Sequence, residues 1–72
     1  MVNIPDENLE QAIRDELEKP TGYITVADME ELTVLDARRK IIEELIGLEY
    51  AKNMGSLYLE YNSISDITRY RI

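Results

Sequence analysis

The chain has no cysteine and no histidine, and neither tryptophan nor phenylalanine. Without cysteine there can be no disulfide and no thiolate ligand or nucleophile. Without histidine the usual metal ligand is missing, along with the side chain that most often exchanges protons near neutral pH. No Ser/His or Cys/His nucleophile system can be assembled. Glycine is scarce, and Gly22, Gly47 and Gly55 are isolated, so no phosphate-cradling loop is present. No apolar run approaches the roughly 18 residues of a membrane span. The opening Met-Val-Asn-Ile-Pro-Asp lacks a basic region followed by an apolar stretch, so a soluble, cytoplasmic chain without a signal peptide is expected.

What remains is 72 residues with 15 acidic and 8 basic side chains, a net charge of −7, and a core that must come from aliphatics, five Tyr and three Met. A chain of this size forms one small domain and buries only about 60% of its unfolded surface. The charge is uneven: residues 1–36 carry −8 and residues 37–72 carry +1. Bulk electrostatics therefore disfavours nucleic acid. The short run Arg38-Arg39-Lys40 stands apart and reads as a solvated or ion-paired face. The acidic pairs Asp15-Glu16, Glu30-Glu31 and Glu43-Glu44 also read as solvated faces, because adjacent side chains on a helix point about 100° apart. No metal, cofactor or small-molecule site is expected, and no enzymatic activity.

Two stretches repeat at a 22-residue offset. Leu32, Leu35, Ala37, Ile42, Leu45 and Leu48 align with Met54, Leu57, Leu59, Ile64, Ile67 and Tyr70. A period of roughly 20–29 residues with this spacing is a leucine-rich-repeat signature. Ahead of it, Pro5 is placed to open a helix, with Asp6 and Glu7 in its first turn. Leu9, Ala12, Ile13 and Leu17 form one face, and Lys19-Pro20 ends the element. Thr25-Val-Ala-Asp28 is a capping box that predicts a short helix over 26–31. Thr33–Ala37 and Ser56–Leu59 read as two strands, parallel by the repeat register.

Residues 37–52 support two readings. Ile41, Leu45 and Leu48 share a helical face, and taken alone the stretch favours helix. The repeat register instead makes 35–37 a strand, 38–43 a turn and 44–53 a connecting segment. A mostly helical fold with one long helix over 35–52 is thus the rival to the repeat fold.

Several motifs carry a family resemblance: Ile4-Pro-Asp-x-x-Leu9, Ala12-Ile13-Arg14, Ile24-Thr-Val-Ala-Asp-Met29, Leu32-Thr-x-Leu-Asp-Ala37, Gly47-Leu-Glu-Tyr-Ala51 and Leu57-x-Leu-x-x-Asn62-x-Ile-Ser-Asp-Ile67. Through them the chain resembles the N-terminal cap and first repeats of bacterial internalin-type leucine-rich-repeat proteins. The resemblance implies an α/β (α+β) fold. Residues 1–32 would form a helical cap, and residues 33–72 a short parallel-strand stub of about one and a half to two repeats. It also implies a concave face that binds protein, and relatives that are secreted or cell-surface proteins.

The departures raise further expectations. Arg39-Lys40-Ile41-Ile42-Glu43-Glu44-Leu45 replaces a polar, turn-forming stretch and leaves Ile41 needing burial. The array stops without further repeats or a terminal cap. The expected object is an engineered or truncated, non-enzymatic capping module. It would associate with itself, as a homodimer, through an open edge of Leu59, Ile64, Ile67, Tyr70 and Ile72. The alternative is a protein-binding module using Asp36, Arg38, Arg39, Tyr58, Glu60 and Tyr61 on the concave face, where Tyr beside Arg is a hot-spot composition. Tyr50 and Tyr70 read as packing residues.

Overall fold

A computed structural model describes residues 2–64. Helix α1 spans Glu7–Leu17, α2 spans Val26–Glu30, and strands β1 (Val34–Asp36) and β2 (Ser56–Tyr58) follow. The strands pair in parallel, with Val34 opposite Ser56, Leu35 opposite Leu57 and Asp36 opposite Tyr58. That register reproduces the 22-residue offset read from the sequence. Among the described residues no helix is long and apolar enough to cross a membrane.

α1 begins two residues later than its proline suggested. Asp6, not Pro5, marks the boundary: its Oδ1 accepts from the amides of Asn8 and Leu9, both at 3.0 Å. The other carboxylate oxygen reaches across the molecule and accepts from the amides of Glu43 (2.8 Å) and Glu44 (3.3 Å). One side chain therefore caps the helix and ties it to a loop 37 residues away. Burial pushes the Asp6 carboxyl up, but these four backbone donors outweigh it and hold the pKa below the ordinary value. Replacing Asp6 by Asn keeps the capping oxygen but turns an NH₂ group toward Glu43 and Glu44. D6N is expected to cost about 1–2 kcal/mol in urea denaturation, from the loss of that link.

α1 closes on Glu18 in the left-handed region, φ 56°. Arg14 secures the exit: its Nε donates to Glu10 at 2.8 Å, and its guanidinium donates to the carbonyls of Lys19 and Gly22. The Thr25–Asp28 capping box opens α2 as the sequence predicted. Lys19 donates to the Asp28 carboxylate at 2.9 Å.

Leu9, Ala12 and Ile13 of α1 pack with Met29 of α2, Leu32, Leu35, Ala37, Ile42, Leu45 and Leu48, all buried. Val2 and Ile4 join them, and the Val2 amide donates to the Ile24 carbonyl at 2.8 Å. The cap thus lies over the whole first repeat. The second repeat is covered less completely. Met54, Leu57, Leu59 and Ile64 are half-buried, whereas their partners 22 residues earlier, Leu32, Leu35, Ala37 and Ile42, are buried.

The long helix over 35–52 does not form. Residues 38–43 make a turn with Arg39 and Ile41 in the left-handed region, φ 58° and 56°, and Leu48–Tyr50 forms a single 3-10 turn. The reason lies in the next repeat. Asn62 Oδ1 accepts from the amides of Lys40 (2.9 Å) and Ile42 (3.1 Å). Its Nδ2 donates to the carbonyls of Ala37 (2.6 Å) and Leu59 (3.0 Å). Backbone groups that a helix would use internally are satisfied by a side chain 20 or more residues away. In this geometry Ile42 turns inward, and Ile41, expected to need burial, is 69% exposed. Tyr50, expected to pack, is exposed because the 3-10 turn directs Leu48 to the core and Tyr50 outward.

Candidate functional site

Strand alternation sets the face. Leu35 points into the core, so Val34 and Asp36 stand on the solvent side of β1, and Tyr58 stands beside them on β2. The chain then enters its turn in the same way in both repeats. Arg39 and Tyr61, 22 residues apart, both take left-handed backbone, φ 58° and 64°. Hydrogen bonds from Ala37 N to Tyr58 O (2.9 Å) and from Arg39 N to Glu60 O (3.1 Å) carry the pairing beyond the strands. The two turns therefore lie side by side. This brings together all six residues proposed from the sequence: Asp36, Arg38, Arg39, Tyr58, Glu60 and Tyr61.

Their contacts are specific. Arg38 forms a two-pronged pair with Asp36, Nε to Oδ1 and NH2 to Oδ2, both 2.9 Å. The same guanidinium lies 5.3 Å from the centre of the Tyr58 ring. Arg39 lies 4.7 Å from the centre of the Tyr61 ring. Each exposed cation–π contact is worth about 0.5–1 kcal/mol. Two arginines and two tyrosines thus hold one another in place. Beside the arginines opens a pocket of about 420 Å³ lined by Asp36, Arg38, Arg39, Lys40 and Tyr61.

Lys40 was not among the residues singled out from the sequence. Its signal was the run Arg38-Arg39-Lys40, which reads as a solvated face until Asn62 folds it into the turn. Among the described residues neither Arg39 nor Lys40 has a salt-bridge partner, whereas Arg38 is matched by Asp36. No cluster of three potential metal ligands occurs among the described residues. Of the apolar residues expected at a self-association edge, Leu59 and Ile64 are half-buried against the core. Ile67, Tyr70 and Ile72 lie outside the described residues, as does the packing expected of Tyr70.

Hydrogen bonding from the Arg38 side chain, with help from its amide, holds the Asp36 carboxyl down to about 2. Hydrogen bonding from Lys19, then from the Thr25 amide, does the same for Asp28. Asp6 moves in the same direction. In each case the folded state binds protons less readily than the unfolded one, whose carboxyls titrate near 4, so stability rises with pH across this interval. Thermal melts should show a plateau above about pH 5 and a progressive fall in Tm between about pH 4 and pH 2. A flat profile over that interval would mean that these pairs contribute nothing.

A helical cap sealing a parallel rung, with an asparagine from one repeat bonding the turn of the previous one, defines the N-terminal end of a leucine-rich-repeat fold. Within that class the chain is of the internalin type, a cap with the first repeats. It is similar to a structure containing the CBM51-2 and INT domains of Clostridium perfringens ZmpB, at 45% identity and TM-score 0.81 over 90% of this chain and 14% of that one. It is similar to an internalin (inlF) of Listeria monocytogenes, at 32% identity and TM-score 0.84 over 89% of this chain and 19% of that one. It is also similar to internalin C2 of the same species, at 29% identity and TM-score 0.83 over 89% of this chain and 29% of that one. The chain therefore spans less than a third of the length of these solved proteins. No protein-family model matches it, and no curated protein does.

Proposed function

We propose that the chain is a non-enzymatic capping module of a protein-interaction scaffold. Residues 1–32 would seal the first rung, and residues 33–72 would present the sheet face and offer the second rung to whatever stacks next. The observation that carries this reading is the contrast between rungs. Leu32, Leu35, Ala37 and Ile42 are buried under the cap, while Met54, Leu57, Leu59 and Ile64 are half-buried at the same positions one repeat later. Repeat proteins gain stability from nearest-neighbour interfaces of this kind. The Tyr58 and Tyr61 side chains, exposed and clasped by arginines, supply the protein-binding face. The reading holds for a natural or an engineered chain alike, because it rests on the rung and the face.

The test is to extend the chain after Ile72 with further 22-residue repeats in the same register. The extended protein should melt in one transition at a Tm higher than the parent by roughly 10 °C or more. Unchanged stability, or a second independent transition, would overturn the capping role.

A second copy of the chain is the other occupant that the half-buried rung supports. In that reading Leu59 and Ile64, with Ile67, Tyr70 and Ile72, close a two-fold dimer. Light scattering across a concentration series separates the two. A dimer mass that reverts to monomer in the Leu59→Lys variant supports self-association, and a monomer mass throughout removes it.

A further inference from the structure

Two features of the turn over residues 38–41 stand out among the described residues. The first is Ile41. It is a β-branched residue in left-handed backbone at φ 56°, a conformation that such side chains rarely adopt, and its side chain is 69% exposed. Among the described residues the Ile41 side chain gains little burial in return. The second is charge. In a protein of net charge −7, Arg39 and Lys40 line a pocket whose carboxylate, Asp36, is already engaged by Arg38. The turn is also rigidly held. Asn62 accepts from the amides on either side of Ile41, and Asn8 Nδ2 donates to the Ile41 carbonyl at 3.2 Å. These bonds sustain the strain and leave a fixed, exposed apolar side chain next to two cations.

We propose that this turn docks an acidic protein segment. Its carboxylates would meet Arg39 and Lys40 in the pocket, and a neighbouring apolar side chain would rest on Ile41, the next residue of the turn. Arginine favours two-pronged pairing with carboxylate. Nucleic acid offers anionic groups too, but its continuous charge would meet the strongly acidic half formed by residues 1–36. A short acidic segment avoids that repulsion. The inference rests on reading this face as protein-binding and adds the chemistry of the partner.

The experiment is an amide NMR titration of the whole chain with the synthetic peptide acetyl-Glu-Glu-Leu-Glu-Glu-amide. A Gln-for-Glu version, inorganic phosphate and an oligothymidylate serve as comparators. Saturable shifts at residues 36–41 and 58–61 are expected with the acidic peptide and not with its Gln version, weakening as salt is raised. The Arg39→Ala/Lys40→Ala double variant should abolish them. Ile41→Asn should weaken binding roughly threefold or more while leaving Tm unchanged or raised, since Asn tolerates left-handed backbone. Equal shifts from the Gln peptide, tighter binding of phosphate or oligothymidylate at the same residues, shifts confined to other surfaces, or none at all would each overturn the proposal. The repeat-extension experiment does not involve this pocket. A failed titration beside a cooperative extended array therefore overturns the acidic partner alone.

Discussion

Replacing Gly47 by alanine is expected to lower Tm by about 15 °C or more, the largest loss from any single methyl group in the chain. Gly47 is buried at φ 102°, a backbone conformation that an L side chain adopts only with strain. A Cβ built there would sit 2.8 Å from the Asn3 carbonyl oxygen and 2.8 Å from Ile4 Cγ1. The first of those atoms is backbone, so no rotamer change relieves the contact. Left-handed strain costs roughly 1–2 kcal/mol and the overlap about 1–3 kcal/mol more. Against the roughly 4–11 kcal/mol that holds a 72-residue domain together, the total is a large fraction. Differential scanning calorimetry gives the answer directly. A Tm within about 3 °C of the parent would mean that residues 2–4 do not pack on Gly47 as the structure describes.

The second large effect is expected at Asn62. Alanine there leaves the amides of Lys40 and Ile42 and the carbonyls of Ala37 and Leu59 without their partner. At roughly 0.5–1.5 kcal/mol for each bond, the loss is about 2–4 kcal/mol, moderated by water because the site is half-buried. Asn62→Asp sharpens the test. The carboxylate keeps Oδ1 as acceptor for both amides but puts an anionic oxygen in place of Nδ2, where the carbonyls of Ala37 and Leu59 need a donor. Its folded pKa should rise above the unfolded value. The variant's deficit relative to the parent should then be smallest below about pH 4 and grow as pH rises through the folded pKa. Denaturant midpoints at pH 4 and pH 7 check this. Equal deficits at both would mean that the Nδ2 bonds are dispensable.

These two positions also show where the sequence was legible. The period was written plainly: Leu35 and Leu57 stand opposite each other on neighbouring rungs because apolar residues recur every 22 positions, and β1 and β2 pair at that offset. The Thr25–Asp28 box was legible because capping is a local interaction. Residues 37–52 were not, because local propensity there favours helix while the deciding bonds come from Asn62, in the following repeat. The second role of Asp6 was equally invisible, since its partners Glu43 and Glu44 are 37 and 38 residues away and carry no pattern that names it. On the candidate site, strand alternation placed Asp36 and Tyr58 on one side. The stacking of Arg39 on Tyr61 and the recruitment of Lys40 needed the turn geometry, which the helix-favouring run concealed.

The Asp6 carboxylate has a consequence for how motion in the molecule can be observed. The amides of Glu43 and Glu44 donate to a single side-chain oxygen on another element, not to a backbone ladder. Their hydrogen-exchange rates therefore report separation of the cap from the first repeat. The amides of Ala37 and Arg39, which donate to carbonyls of the second repeat, report separation of the repeats. Two pairs of neighbouring protons thus time two different openings. Their ratio measures whether the cap lifts as a unit before the repeats part, or only when the whole chain unfolds.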